Sequence, residues 1–195
     1  MWTHSVANVA LAKHRQPQKV SNGYGRTRSV KLSPSIKSIS RQPAKTGPKK
    51  SDTIQRHLAT ISQARKSKLP AFVRPQLATL VDSVPQGDEW LHEIKFDGYR
   101  AICRIDEGRA VFLTREGQDW TSRFGSLVEA AQNLPVRRAL LDGEVVALEE
   151  DGKTNFQLLQ NSLKRNDTAT LVYFVFDLLY LDGWDLTRST LRDRK

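Results

Sequence analysis

The charges of this chain are unevenly divided, and the division limits how much of it can build a core. Residues 1–70 hold fifteen Lys and Arg against a single acid, Asp52, whereas residues 71–195 hold sixteen Lys and Arg against twenty Asp and Glu. The net charge of +10 over 195 residues therefore arises wholly in the first third. Residues 1–53 contain only Trp2 and Tyr24 as aromatics and are interrupted by Pro17, Pro34, Pro43 and Pro48. Low hydrophobicity with high like charge buries too little apolar surface to offset chain entropy, so this stretch reads as a disordered basic tail or linker. Ile54, Leu58 and Ile61 fall at i, i+4 and i+7, which predicts a short helix from about Ser51 to Lys66. The boundary between tail and domain is accordingly set at residues 69 and 70.

Composition excludes several classes. A single Cys103 forms no disulfide framework, and no Cys-x-x-Cys or Cys/His cluster offers a zinc site. His4, His14, His57 and His92 are scattered. No apolar run approaches the roughly 20 residues that span a bilayer, so no membrane partner is expected. A pI near 9.9 points to a polyanion, nucleic acid first. The tail itself suits a flexible linker, an arm drawn to phosphates without sequence preference, or an Arg- and Ser-rich transit peptide.

From Ala71 the pattern changes. Trp90–Phe96, Tyr99–Asp106 and Arg109–Arg115 alternate like strands, separated by Asp97-Gly98 and Glu107-Gly108, and predict an antiparallel meander. Leu127, Ala130, Ala131 and Leu134 predict a helix from Phe124 that Pro135 stops. Ala139–Leu148 reads as a strand and Phe156–Leu163 as a helix. Leu171–Leu181 is almost wholly apolar and reads as a strand covered on both sides, turned by Asp182-Gly183, with a further helix opening after Leu186. The fold class is α+β, with mixed, mainly antiparallel sheets and flanking helices.

The densest cluster of reactive side chains is Glu93-Ile94-Lys95-Phe96-Asp97-Gly98-Tyr99-Arg100. A lysine amine attacks phosphorus or carbon only when neutral, and desolvation or neighbouring cations bring its pKa down. Arg100 could supply such a cation and grip phosphate with its planar fork. The same residues also fit a plain hairpin with an exposed lysine and a solvated arginine. The pattern K-x-D-G-x-R weighs against coincidence, since at ordinary residue usage its four fixed positions arise about once per 70,000 starts.

At these residues the sequence resembles the nucleotidyltransferase domain of ATP-dependent DNA ligases, of the bacterial ligase D end-joining type. The resemblance runs from about Leu69 to Lys195 in the family's motif order. Phe72–Leu80 is similar to the start of that domain, and Trp90–Arg100 to its nucleophile motif. Leu113–Thr121, Leu140–Leu148 and Phe174–Gly183 are similar to the three blocks that follow. It implies Lys95 as the nucleophile that takes AMP from ATP, with Glu93 at the adenine amino edge, Ile94 beside the nucleotide, and Arg100 and Arg115 on ribose and phosphate. It further implies Glu144 on the ribose and a Mg²⁺ ion, and Phe176 stacked on adenine. The implied activity is AMP transfer to a 5′-phosphate of nicked or broken duplex DNA and strand joining in repair and recombination, in the bacterial cytoplasm at the nucleoid.

The resemblance also implies two later motifs, an E-G-x-V-x-K block and a paired-lysine block, and an OB-fold domain; none is found up to Lys195. The chain is therefore expected to be a truncated adenylation domain that self-adenylates weakly or not at all, with a missing C-terminal half or end-joining partner proteins supplying the rest. A non-catalytic basic nucleic-acid-binding protein, an RNA ligase and a capping enzyme are the alternatives.

Overall fold

The computed structural model describes residues 9–11 and 50–195, and the disordered reading of residues 1–8 and 12–49 lies outside the described residues. Seven strands, β1 (Val9–Leu11), β2 (Arg65–Lys66), β3 (Tyr99–Asp106), β4 (Arg109–Thr114), β5 (Arg138–Ala147), β6 (Leu171–Leu181) and β7 (Trp184–Asp185), form one sheet. Its order is β2-β7-β6-β5-β3-β4, with β1 paired to β6, and every pairing is antiparallel. The helices are α1 (Lys50–Thr60), α2 (Gly125–Gln132), α3 (Phe156–Arg165) and α4 (Leu191–Arg194). Among the described residues no helix is long and apolar enough to cross a membrane.

Local chemistry accounts for most of these elements. Glu107-Gly108 and Asp182-Gly183 take positive φ at both residues (49° and 81°, 40° and 100°). Such turns match strand twist and close the β3–β4 and β6–β7 hairpins. The Asn155 side chain accepts from the Leu158 backbone N–H at 2.9 Å to start α3, and Asn166, at φ 54°, ends it in the left-handed region.

One expected strand is absent. Residues 90–96 form neither strand nor hairpin, and the chain between β2 and β3 carries no helix or strand. The reason is hydrogen-bonding capacity: β3 is already flanked by β4 on one edge and β5 on the other, which leaves no free edge for a preceding strand. Gly98 accordingly serves close approach rather than a turn. A Cβ there would strike the Val145 carbonyl oxygen and come within 2.9 Å of Val146 Cγ1.

Three other expectations are corrected. The helix predicted to reach Lys66 ends at Thr60, and Arg65–Lys66 instead pairs with β7. The last helix begins at Leu191 rather than soon after Leu186. The middle of β6, Phe174 to Leu178, is only half-buried, because one face of the sheet is open there. Residues before 70 also join the folded unit. Leu58 is buried, and the Gln55 amide donates to the Asp182 carbonyl at 3.0 Å while accepting from the Trp184 indole at 2.9 Å. These bonds dock α1 on the β6–β7 turn.

Alternation along the strands divides the apolar side chains into two cores. Ala101, Cys103 and Ile105 of β3, with Val145 and Tyr173, pack beneath α2 and α3 on one face. Ile102, Leu140, Leu179 and Tyr180 form a smaller cluster, covered by Leu69, Phe72 and Val73 of the irregular segment. Next to that smaller cluster, Arg100, Asp142 and Glu144 continue the side-chain series of Ile102 and Leu140 along β3 and β5 and leave a polar patch.

Tyr173 ties the three central strands. Its fully buried hydroxyl is shared between the Ala101 carbonyl of β3 at 2.9 Å and the Leu141 carbonyl of β5 at 3.0 Å. Its ring fills the space that a side chain at Gly143 would need, with Cζ 2.7 Å from a Cβ built there. Removing the hydroxyl takes away the buried donor that these two carbonyls share, so Tyr173→Phe is expected to lower stability by about 1–3 kcal/mol. Urea unfolding checks this, with a lower midpoint at an unchanged slope expected.

Candidate functional site

Lys95 is exposed and is positioned by its neighbours rather than by a ladder. The Phe96 ring stacks on Phe174 of β6 with centroids 4.2 Å apart and planes within 3°, and Gly98 then threads against β5. Two anchors, one on β6 and one on β5, thus follow the lysine directly in the chain and fix the backbone just after it. Ile94 points to solvent, 74% exposed. Glu93 forms an ion pair with Lys195 at the end of α4.

Arg100 is the centre of the patch. It stands opposite Glu144 in the β3–β5 register. Its Nε and Nη2 donate to the two oxygens of Asp142 at 3.0 and 2.8 Å, and Asp142 is only 2% exposed. The bidentate bond raises the Arg100 pKa further and holds its guanidinium in one orientation. The guanidinium carbon lies 5.1 Å from the centroid of Phe176.

Phe176 reaches that position through a register shift. Asp142 pairs with Asp177 and Gly143 with Val175, so β6 has one residue more than β5 at this point, and that residue is Phe176. Such a bulge bends a strand and re-aims a side chain. The Asp177 carboxylate beside it is bound by Arg194: Nη2 donates at 3.0 Å and Nε lies 2.9 Å from the second oxygen. Burial raises the Asp177 pKa against the pull of Arg194.

Glu144 is the perturbed acid of the site. Desolvation pushes its pKa up to about 7, although Arg100, Lys95 and a hydrogen bond to the Gly98 backbone all favour the charged form. A half-buried carboxylate in that state is poised to accept a cation or a hydroxyl. Beside it a cavity of about 420 Å³ opens at the start of β3 and the end of β4, lined by Arg100, Arg115, Glu116, Trp120 and Glu144 among others. Arg115 lies at its mouth, paired with Glu116 at 3.1 Å.

Of the residues singled out from sequence, Arg100, Arg115 and Glu144 therefore line one cavity. Phe176 and Lys95 are linked to it through Arg100 and through the field on Glu144. Glu93 is reached through Lys195, and Ile94 makes no part of the cavity lining. Sequence reading assigned no role to Asp142, Asp177, Arg194 or Lys195. Asp142 carried a signal, since it lies two residues before Glu144 and so shares its face of a strand. Arg194 and Lys195 carried none, because the acids they pair with, Asp177 and Glu93, lie outside any local spacing rule.

Among the described residues there is no group of three or more His, Cys, Asp or Glu side chains that could hold a metal ion. Asp142 and Asp177 are occupied by arginines, which leaves Glu144 as the available carboxylate. Mg²⁺ is commonly held by one or two carboxylates together with substrate phosphates and water, a donor set that Glu144 fits.

The patch is thus built from four separate stretches of chain, and known proteins resemble the part of the chain that holds them. A multifunctional non-homologous end joining protein, LigD, from Pseudomonas aeruginosa is 42% identical over 130 residues, covering 67% of this chain and 15% of that protein. The corresponding LigD protein of Mycolicibacterium smegmatis is 34% identical over 140 residues, covering 71% of this chain and 18% of that protein. A solved structure of mycobacterial DNA ligase D complexed with ATP and MES is 35% identical, with a TM-score of 0.48 over 52% of this chain and 33% of that one. The chain thus spans less than a fifth of the length of these two curated relatives. Residues 75–195, more than half of the chain and the part that carries Lys95, Arg100, Glu144 and Phe176, match the ATP dependent DNA ligase domain, and the chain belongs to that family.

Proposed function

We propose that this chain carries the nucleotide-binding and nucleophilic part of an ATP-dependent DNA ligase acting in end joining. In this reading Lys95 Nζ attacks the α-phosphorus of ATP, a P–N bond forms, the bond to the β-phosphate oxygen breaks, and pyrophosphate leaves. The amine loses a proton to solvent, and AMP remains on Lys95. The AMP then passes to a 5′-phosphate of nicked or broken duplex DNA, and a 3′-hydroxyl displaces it. Such work belongs in the bacterial cytoplasm, at the nucleoid.

The observation that carries the reading is the cross-strand register of Arg100 and Glu144, locked by Asp142 and faced by Phe176. It sets a phosphate-binding cation and an available carboxylate side by side at one cavity, with an aromatic ring against the cation and the charge of Lys95 acting on the carboxylate. Phe176 supplies the stacking surface for adenine, and Arg100 with Arg115 the charge for the phosphates. Glu144 contacts the ribose and holds Mg²⁺, which would neutralise negative charge on the phosphates when bound. Glu93 accepts from the adenine amino group.

Incubation with Mg²⁺ and ATP labelled at the α-phosphate tests the chemistry. Weak covalent labelling that disappears in Lys95→Ala is the expected result. Labelling that persists in that variant removes Lys95 as nucleophile, and a chain that neither labels nor binds ATP overturns the reading.

Stacking on Phe176 is expected to contribute as aromatic–base contacts do elsewhere, about 1–3 kcal/mol. Phe176→Ala should therefore weaken ATP binding by about tenfold or more in calorimetric titration, with less loss in Phe176→Tyr.

The Glu144 pKa sets a pH dependence. Its folded value of about 7 lies above the ordinary value of 4.5, so the folded state holds the proton more tightly than the unfolded one. Stability contributed by this group is present at low pH and is lost as pH rises through 7. Binding of Mg²⁺ with ATP needs the ionised form and should strengthen over the same interval. Glu144→Gln is expected to flatten both profiles, read by thermal unfolding and by titration between pH 5.5 and 8.5.

A further inference from the structure

Lys195 is a strongly enclosed cation near Phe176 that no step above uses. Its side chain is only 12% exposed, its ammonium is paired with Glu93, and its Nζ lies 5.9 Å from the Phe176 centroid. Burial lowers its pKa. The position is held rather than incidental. The preceding residue, Arg194, is bound to Asp177 with side chains 10% and 14% exposed, and donates from Nη1 to the Thr187 and Ser189 carbonyls at 3.1 and 3.2 Å. Arg192 donates to the Asp88 carbonyl at 2.9 Å, so α4 also fastens the irregular segment that carries Glu93. A short helix thus delivers one ammonium over the Phe176 ring.

A carboxylate beside an ammonium presents an acceptor next to a donor. The adenine edge presents the complement: the 6-amino group donates, and the ring nitrogens that flank it, N1 and N7, accept. Guanine in the same orientation reverses the polarity at positions 6 and 1, and sets its carbonyl against Glu93 and its N–H against Lys195. An exposed Lys–Glu pair contributes little by itself, whereas a partly dehydrated one positioned at a ring face has direction to offer a ligand.

We propose that Lys195 is a specificity-determining residue of the nucleotide site: while Glu93 accepts from the 6-amino group, Lys195 donates to a ring nitrogen flanking it. The inference rests on the reading that ATP is the substrate. The pair serves base recognition in addition to holding α4 in place, and Lys195 contacts the base rather than the phosphates.

Calorimetric titration of the full chain with ATP, 1-deaza-ATP, 7-deaza-ATP and GTP tests it, alongside Lys195→Met and Lys195→Arg. In the unsubstituted chain one deaza analogue should bind about tenfold or more weaker than ATP, the loss of one hydrogen bond from a charged donor, and GTP weaker still. In Lys195→Met that difference between ATP and the deaza analogue should shrink to within about twofold, whereas Lys195→Arg, which keeps a donor, should retain it. A purely structural ion pair would instead weaken all four nucleotides alike. Equal binding of ATP and both deaza analogues by the unsubstituted chain overturns the proposal, whatever the variants do, and so does a deaza penalty that survives in Lys195→Met. A chain that binds none of the four nucleotides overturns the ATP reading, and this inference with it.

Discussion

The bidentate bond between Arg100 and Asp142 organises the open face of the sheet. It spans β3 and β5 at the point where the smaller apolar cluster gives way to the polar patch, and it is nearly closed to water on the Asp142 side. The bond fixes the guanidinium, which lies over the Phe176 ring and belongs to a residue that lines the cavity. An unpaired Asp142 at 2% exposure would be costly, because a buried charge without a partner keeps its full desolvation penalty. The arginine is therefore committed to its position before any ligand arrives, which is the condition for using it to hold a phosphate or ribose without further ordering.

A second ion pair extends the arrangement. Asp142 and Asp177 are cross-strand partners in β5 and β6, and two carboxylates so placed repel. Each is met by its own arginine, Arg100 from β3 and Arg194 from α4, so the two adjacent acids are flanked by a cation on either side. The bulge that presents Phe176 lies directly beside this pair of acids, which places the aromatic ring close to the carboxylates that both arginines bind. Glu144 is left out of this pairing, and its pKa of about 7 follows: it is desolvated like the others but has no arginine bonded to it.

The opposite face does the structural work that makes such a patch affordable. Gly143 and Gly98 let β6 and the segment that carries Lys95 approach β5 more closely than any side chain would allow, and Tyr173 fills the space beneath. The polar face is thereby held rigid by close packing under it, since interiors at crystal-like density do not deform gradually.

How much of this was legible beforehand differs from residue to residue. The turns at Glu107-Gly108 and Asp182-Gly183, strands β3 to β6 and helices α2 and α3 follow from local pattern, because alternation, helical spacing and left-handed turn residues act within a few positions. Lys95, Arg100, Glu144 and Phe176 stood out because the K-x-D-G-x-R motif and the blocks after it survive as linear signatures of a ligase family. The strand expected at Trp90–Phe96 failed although its alternation is real, since whether a segment becomes a strand depends on a free edge, and β4 and β5 had taken both edges of β3. Residues 50–66 belong to the folded unit through Gln55, Leu58 and Trp184, contacts made across more than a hundred residues that composition cannot register. Sequence by itself determined the elements and the chemical inventory of the site, because both are written in short-range pattern. Only the tertiary structure decided which acid keeps its proton, which arginine answers which carboxylate, and that Lys195 meets Glu93, because burial and pairing between distant residues exist only once the chain has closed on itself.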